Sequence, residues 1–300
     1  MNPLSIGIDL GGTNIKAALV DTGTAQVLGT LSKPTRDGEF EGDVPRFALT
    51  VRDIVAECEA QAGAKLRVGL SAPGLANPDG RCIDWMPGRM HGLEKFDWSA
   101  FLGRECRVLN DAHAALLGEV WAGAAKDRQD VFMLTLGTGV GGAVYSGGRL
   151  LRGAIGRAGH LGHITLDVNA PCDVFGQPGS LESMLGNQTI AVRGEGCYAN
   201  THALIDAYGV GDLHASKVWL ESVRQLAAGI ASLINVLDPA VVIIGGGIAT
   251  GAGERLFQPL AGFLDQYEWR PGGQRAQIVP AMLGDSAGCL GTVFNLLQSS

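Results

Sequence analysis

Ile8-Asp-Leu-Gly-Gly-Thr-Asn-Ile-Lys-Ala-Ala-Leu19 returns in altered letters as Leu134-Thr-Leu-Gly-Thr-Gly-Val-Gly-Gly-Ala-Val-Tyr145, 126 residues further along the chain. In each copy an apolar run enters a Gly/Thr turn and leaves as a second apolar run. That is the pattern of a β-hairpin whose tip exposes backbone N–H groups. A unit repeated at that distance predicts two lobes built on one plan.

The residues in the two turns suit polyphosphate. Asp9 stands at a strand end, Gly11 and Gly12 let backbone amides approach an anion, and Thr13, Asn14 and Lys16 add polar groups and a cation. Such a set fits nucleotide and Mg²⁺. One Gly-Gly-Thr alone would read as an ordinary hairpin. With Gly137, Thr138 and Gly139 as a second copy, two turns facing each other across a cleft could clasp a polyphosphate. A third run, Gly245-Gly246-Gly247, follows an apolar strand and precedes a helix, where α/β proteins place nucleotides. Asp285 opens the last helix and reads as its N-cap, with a position in the cleft as the alternative.

Asn110-Asp111 lies between a short strand and an amphipathic helix. An Asp there either caps the helix or projects into a site. Phosphoryl transfer to an alcohol needs a group that accepts the hydroxyl proton and aligns the oxygen, and a carboxylate beside an amide meets both needs. The company of the glycine turns favours Asp111 as the base.

Around these motifs the pattern is mixed α/β. Strands are expected over 4–9, 16–20, 27–32, 67–71, 107–109, 131–136, 140–145, 241–244 and 277–280, and helices over 46–62, 111–124, 181–192, 216–237, 253–267 and 285–297. The expected division is 1–112 plus 285–300 for the first lobe, with 113–284 as the second. The lobes would join through 111–124 and the terminal helix.

Composition narrows the function classes. The 45 glycines among 300 residues are roughly twice the ordinary share and cluster in turns. A net charge of −7 without any Lys/Arg run disfavours nucleic acid and membrane surfaces. The apolar tract from Ala228 to Ile248 is broken by Asn235, Asp238, Pro239 and three glycines, so it cannot span a bilayer. The start of the chain lacks the charged region of a signal peptide, and the expected compartment is the cytoplasm. Six cysteines without paired spacing predict reduced, buried thiols.

Asp9-Leu-Gly-Gly-Thr13, Ala72-Pro-Gly74, Asn110-Asp111, Leu136-Gly-Thr-Gly139, Gly153 to His163, Gly179 to Glu182, Asp238-Pro239 and Gly245-Gly-Gly247 occur in an order that resembles the ROK family of sugar kinases, in the actin-like ATPase superfamily. The resemblance implies a two-lobed, ribonuclease H-like α/β fold closing on ATP-Mg²⁺ and a sugar. It implies Asp111 as base, with Gly74, Asn110, His160, His163 and Glu182 at the sugar. The implied reaction moves the γ-phosphoryl of ATP to a hydroxyl, usually O6, of a hexose or amino sugar, often in a homodimer.

The chain departs from that pattern in two places. His160 stands where the family has a Glu that grips the sugar, and Gly88 stands where it commonly has Asn. An imidazole offers one donor and one acceptor where a carboxylate accepts twice, so sugar recognition should differ. The family's zinc segment, Cys-x-Cys-Gly-x-x-Gly-Cys, reads here Asp173-Val-Phe-Gly-Gln-Pro-Gly-Ser180. With only His163 and a displaced Cys172 left, structural zinc is expected to be absent. Two further readings stand beside the kinase. One is a silent sugar sensor, against which Asp111 and both turns count. The other is a sugar-responsive regulator, for which Asp9 comes too early to leave room for a helix-turn-helix.

Overall fold

The structure, a computed structural model, describes residues 3–298; residues 1–2 and 299–300, at the ends of the expected first lobe, lie outside it. Two five-stranded sheets form its frame. We number the first sheet's strands β1 (Leu4–Leu10), β2 (Asn14–Asp21), β3 (Val27–Pro34), β4 (Arg67–Ala72) and β5 (Cys106–Asn110). The second sheet holds β6 (Val131–Leu136), β7 (Val140–Ser146), β8 (Arg149–Leu150), β9 (Val241–Gly245) and β10 (Gln277–Pro280).

The spatial orders are β3-β2-β1-β4-β5 and β8-β7-β6-β9-β10. In each sheet the hairpin supplies an antiparallel pair, and a later strand joins its first arm in parallel. The registers also correspond. Asp9 faces Lys16 across the first hairpin and Ser71 on β4, while Thr135 faces Gly141 across the second and Gly245 on β9. The repeated motif is therefore the centre of two sheets of one topology, as its recurrence predicts.

One compact unit runs to Asp127 and takes in Leu150–Ala158 and the chain from Met282 onward; the other comprises Arg128–Arg149 and Gly159–Ala281. The first thus extends past residue 112. In the first unit, α1 (Arg46–Ala62) buries Phe47, Val51, Ile54, Val55 and Cys58, a stripe at helical spacing, and Gly63 ends it with φ 65°. On the first sheet also lies α7 (Ala287–Gln298), which packs against α2 (Asp111–Ala122). A Cβ on Gly7 would lie 2.0 Å from the Cys289 carbonyl oxygen, and one on Gly291 only 1.7 Å from that of Ala114. Strand, α2 and α7 approach at backbone distance, which accounts for part of the glycine content.

The second unit buries α4 (Leu213–Leu237) through Trp219, Val223, Leu226, Ile230 and Ile234. Trp219 donates its indole N–H to the Arg255 carbonyl at 2.8 Å on α6 (Glu254–Tyr267).

Every expected strand is present. The helix expected over 181–192 is not continuous: α3 (Leu181–Leu185) stops at Gly186, and a 3₁₀ turn and a short helix follow. A Cβ on Gly186 would meet the Glu182 and Thr138 carbonyl oxygens at 2.8 and 2.9 Å. Arg193 then caps the break, donating to the Leu185 and Gly186 carbonyls at 3.0 Å each. Apolar spacing alone does not reveal such a break. The helix Thr201–Gly209 and the short α5 (Gly247–Ala252) lie outside the expected set. The cysteines also need a correction, since Cys172 and Cys197 are exposed and only Cys58, Cys106 and Cys289 are buried.

Candidate active site

The carboxyl ends of the parallel strands β1, β4 and β5 gather one set of functional groups. Asp9 ends its strand beside Ser71, whose hydroxyl donates to Asp9 Oδ1 at 2.8 Å. Burial raises the Asp9 carboxyl above the ordinary carboxylate range, with the Ser71 hydrogen bond and Lys16 opposing and Asp285 assisting. Asp9 Oδ2 accepts from no described residue. That leaves a hard oxygen donor of the kind a divalent cation takes.

The first turn follows Asp9. It is closed by Gly11 N–H to the Asn14 carbonyl at 3.1 Å and buttressed by buried Thr35, which donates its hydroxyl to the Gly11 carbonyl at 2.6 Å and its amide to that of Thr13 at 2.9 Å. Gly12, Thr13 and Asn14 are exposed at the tip, and the amides of Gly12 and Thr13 donate to no described residue. Lys16 pairs with Asp285 at 2.6 Å. The N-cap expected of Asp285 is therefore replaced by an ion pair, because the chain enters α7 through a 3₁₀ turn with no side-chain cap.

Asn110 rather than Asp111 caps α2. Its Oδ1 accepts from Ala112 N at 2.9 Å and His113 N at 3.2 Å, and its Nδ2 donates to the Gly74 carbonyl at 2.9 Å. Gly74 serves this packing directly, with φ 101° and a Cβ position only 2.6 Å from the Trp85 carbonyl oxygen. Relieved of capping, Asp111 keeps an exposed surface while crowded by protein. That crowding, with the Asp9 charge next, pushes its carboxyl up to about 6, against the Ala112 amide, Arg89 and Asn110. His113 is buried and shares a hydrogen bond with the Ala158 carbonyl at 3.1 Å.

Sequence reasoning passes over two residues of this unit. Glu119 is fully buried and accepts from Ala124 N at 2.7 Å, Met282 N at 2.9 Å and Leu283 N at 2.8 Å. Arg89 brings Nη1 within 3.9 Å of the position a Gly12 Cβ would take. A charged residue inside an amphipathic helix and an arginine in an irregular loop carry no local signal.

In the second unit, the turn Gly137–Gly139 is closed by Gly137 N–H to the Gly139 carbonyl at 2.9 Å and held from behind. Asn187 N and Gln188 N donate to the Gly137 and Thr138 carbonyls at 2.9 Å each. Glu182 uses both oxygens here: Oε2 accepts from Val140 N at 3.0 Å and Oε1 from Gln188 Nε2 at 2.7 Å. Glu182 is thus first a support for the turn, with only its remaining lone pairs open to another donor. Of the third glycine run, Gly246 has φ 89° and packs its Cα on Leu136, whereas Gly247 faces open space.

His160 precedes the 3₁₀ turn Leu161–His163 and His163 ends it, with ring centroids 6.5 Å apart. Burial, then the neighbouring His163, lowers the His160 pKa below the usual imidazole value. His163 Nδ1 is buried without a hydrogen-bond partner among the described residues, and the ring meets Phe175 edge-on at 5.2 Å. The segment beyond converges on Asp173, which accepts from Phe175 N at 2.9 Å, Gln177 N at 3.0 Å and Ser180 Oγ at 2.8 Å. Among the described residues no three His, Cys, Asp or Glu side chains gather as metal ligands, and His163 with an exposed Cys172 does not fit a four-ligand zinc site.

Comparison with known proteins gives the family and the fold. The ROK family profile matches residues 5–299. The chain is 32% identical over 310 residues to a glucokinase of Thermotoga maritima, covering 95% of each protein. It superposes on the ROK hexokinase of Thermus thermophilus with TM-score 0.86 at 31% identity, over 99% of this chain and 100% of that one. It superposes on a ROK glucokinase of Streptomyces griseus, solved with glucose and AMPPNP, with TM-score 0.76 at 27% identity, again over 99% and 100%. The fold is that of the actin-like ATPases, and the chain belongs to the ROK family.

Proposed function

We propose that this chain is an ATP-dependent sugar kinase that moves the γ-phosphoryl group to a hydroxyl, O6 in the first instance, of a hexose or amino hexose. The observation that carries the reading is the pair Asp9 and Asp111 at the ends of β1 and β5 beside an open glycine turn. Asp111 is the base, Asp9 faces the metal side, and the relatives above supply the class of substrate.

In this reading Asp111 accepts the hydroxyl proton as the sugar oxygen bonds to phosphorus and the bond to the ADP oxygen breaks. A carboxyl pushed up to about 6 is a stronger proton acceptor than an ordinary Asp and is still ionised at neutral pH. Asn110 fixes the helix start that aims it. In the first unit the unpaired oxygen of Asp9 and the first turn would hold Mg²⁺ and phosphate; the second unit offers Gly137 to Gly139 and Gly245 to Gly247 as nucleotide-binding turns of its own. Bound Mg²⁺ supplies charge neutralisation on the phosphates. In the second unit His160, His163 and the remaining capacity on Glu182 are the proposed sugar contacts, and in the first unit that on Asn110; a neutral His160 would donate one hydrogen bond and accept one. The reading extends to a cytoplasmic homodimer, the state that the family resemblance implies.

The test is an ADP-release assay with ATP and Mg²⁺ across hexoses, amino sugars, N-acetylated amino sugars and deoxy sugars. Turnover above background with one class of sugar supports the kinase. Binding of sugar and nucleotide without turnover would make the chain a silent sensor.

A further inference from the structure

The loop between Met86 and Gly92 is irregular yet tied at both ends. Met86 N donates to Glu94 Oε1 at 2.5 Å, and Met90 N donates to Asp37 Oδ2 at 3.0 Å. The Met90 side chain is 1% exposed in the first core although its backbone sits at φ 55°, a conformation that costs a non-glycine residue energy. Packing therefore holds this turn against its local preference. Arg89, between Gly88 at φ 83° and Met90, stands on that fixed turn.

Its guanidinium reaches the tip of the first glycine turn, Nη1 lying 3.9 Å from where a Gly12 Cβ would be. Its charge is felt at Asp111. Yet Arg89 makes no hydrogen bond or ion pair with any described residue. The other cation of this turn, Lys16, is neutralised by Asp285. A polyphosphate at Gly12 and Thr13 would meet the like charges of Asp9 and Asp111, and Arg89 is the cation beside Gly12 that no carboxylate has claimed. Its five N–H donors match phosphate oxygens in pairs.

We propose that Arg89 is a further catalytic residue, its guanidinium binding the outer phosphoryl group of a nucleotide held at Gly12. The proposal rests on the kinase reading and adds a named group for the charge that grows on the transferred phosphoryl oxygens. The hydroxyl proton goes to Asp111, and ADP leaves with the electrons of the broken bond. The exposed face of the guanidinium could instead take an anionic group on the acceptor, and the test separates the two.

The test uses the full chain as wild type, Arg89→Ala and Arg89→Lys, each first checked for an unchanged Tm. Two readouts are taken with Mg²⁺ present: steady-state kcat and KM for sugar and ATP, and equilibrium binding of ADP and of a non-hydrolysable ATP analogue. For Arg89→Ala we expect kcat to fall about 10²–10³-fold and the analogue to bind about tenfold more weakly, with ADP affinity and sugar KM little changed. Arg89→Lys should recover most of the binding but not kcat, because a point charge lacks the paired donors. Unchanged kcat and analogue affinity would overturn the proposal, as would a loss confined to the sugar KM, which assigns Arg89 to the acceptor. If the wild type transfers phosphate to no sugar, the kinase reading fails, while the ADP and analogue affinities still decide whether Arg89 holds the outer phosphate.

Discussion

Ser71 and Asp9 face each other across parallel strands, and the serine hydroxyl donates to Asp9 Oδ1 at 2.8 Å. That bond opposes the upward push of burial on the Asp9 carboxyl. Ser71→Ala should raise the Asp9 pKa further, lower stability by about 1 kcal/mol, and raise the Mg²⁺ concentration needed for half-maximal activity. A Mg²⁺ titration of initial rate checks it; an unchanged midpoint removes Asp9 from the metal side.

The Asp111 carboxyl is held up to about 6, and a base works only when ionised. The kcat/KM profile should therefore rise with pH through about 6 and level off above it. The stability sign is the opposite. A raised carboxyl pKa makes the fold bind a proton more tightly than the unfolded chain does, so stability falls as pH rises from near 4 to near 6. Asp111→Asn should abolish transfer, keep ligand binding, and show a Tm at pH 8 no lower than wild type. Near-normal turnover would refute the assigned base.

Adjacent glycines should separate sharply. Gly246→Ala adds a Cβ 2.4 Å from the Leu136 carbonyl oxygen at φ 89°, and we expect a loss of about 3 kcal/mol or more. Gly247→Ala meets nothing within 4 Å and should leave the urea midpoint nearly unchanged. Any nucleotide effect of the second variant then reports on ligand approach alone.

Glu182 carries the second turn through Val140 N and Gln188 Nε2. Glu182→Ala should raise the KM for ATP at least as much as the KM for sugar. An effect on sugar alone would make the turn support incidental.

Glu119→Ala leaves the amides of Ala124, Met282 and Leu283 without the buried carboxylate they share. Hydrogen bonds to a charged group contribute about 1.5–3 kcal/mol, so chemical denaturation should show a loss of about 3 kcal/mol, and Glu119→Gln a smaller one.

The sequence exposed what repeats and what alternates. The hairpin pairs, the parallel strands and the long helices are written in apolar spacing and turn glycines, and Asp9, Asp111 and both turns stand out by chemistry. Partners set by distant contacts were not legible. Nothing local says that Asn110 caps its helix in place of Asp111, or that Asp285 reaches Lys16. The break at Gly186 depends on Thr138, a residue 48 positions earlier. Glu119 looks like an ordinary helix-surface acid until the returning chain at Met282 is known. Arg89 and Thr35 become visible only once the first turn has a shape.

Asp173 draws together the ends of its loop through amides and a hydroxyl. Partial burial works against its ionisation, yet the hydrogen bonds from Gln177, Ser180 and Phe175 outweigh this and hold the carboxyl below its ordinary value. The stabilisation is present above the unfolded pKa and is lost only as pH falls through the lower folded one. A loop fastened this way answers to acid: at neutral pH the Asp173 carboxylate holds its ends together, and protonating that one group would release an amide-and-hydroxyl clasp that spans the segment from Phe175 to Ser180.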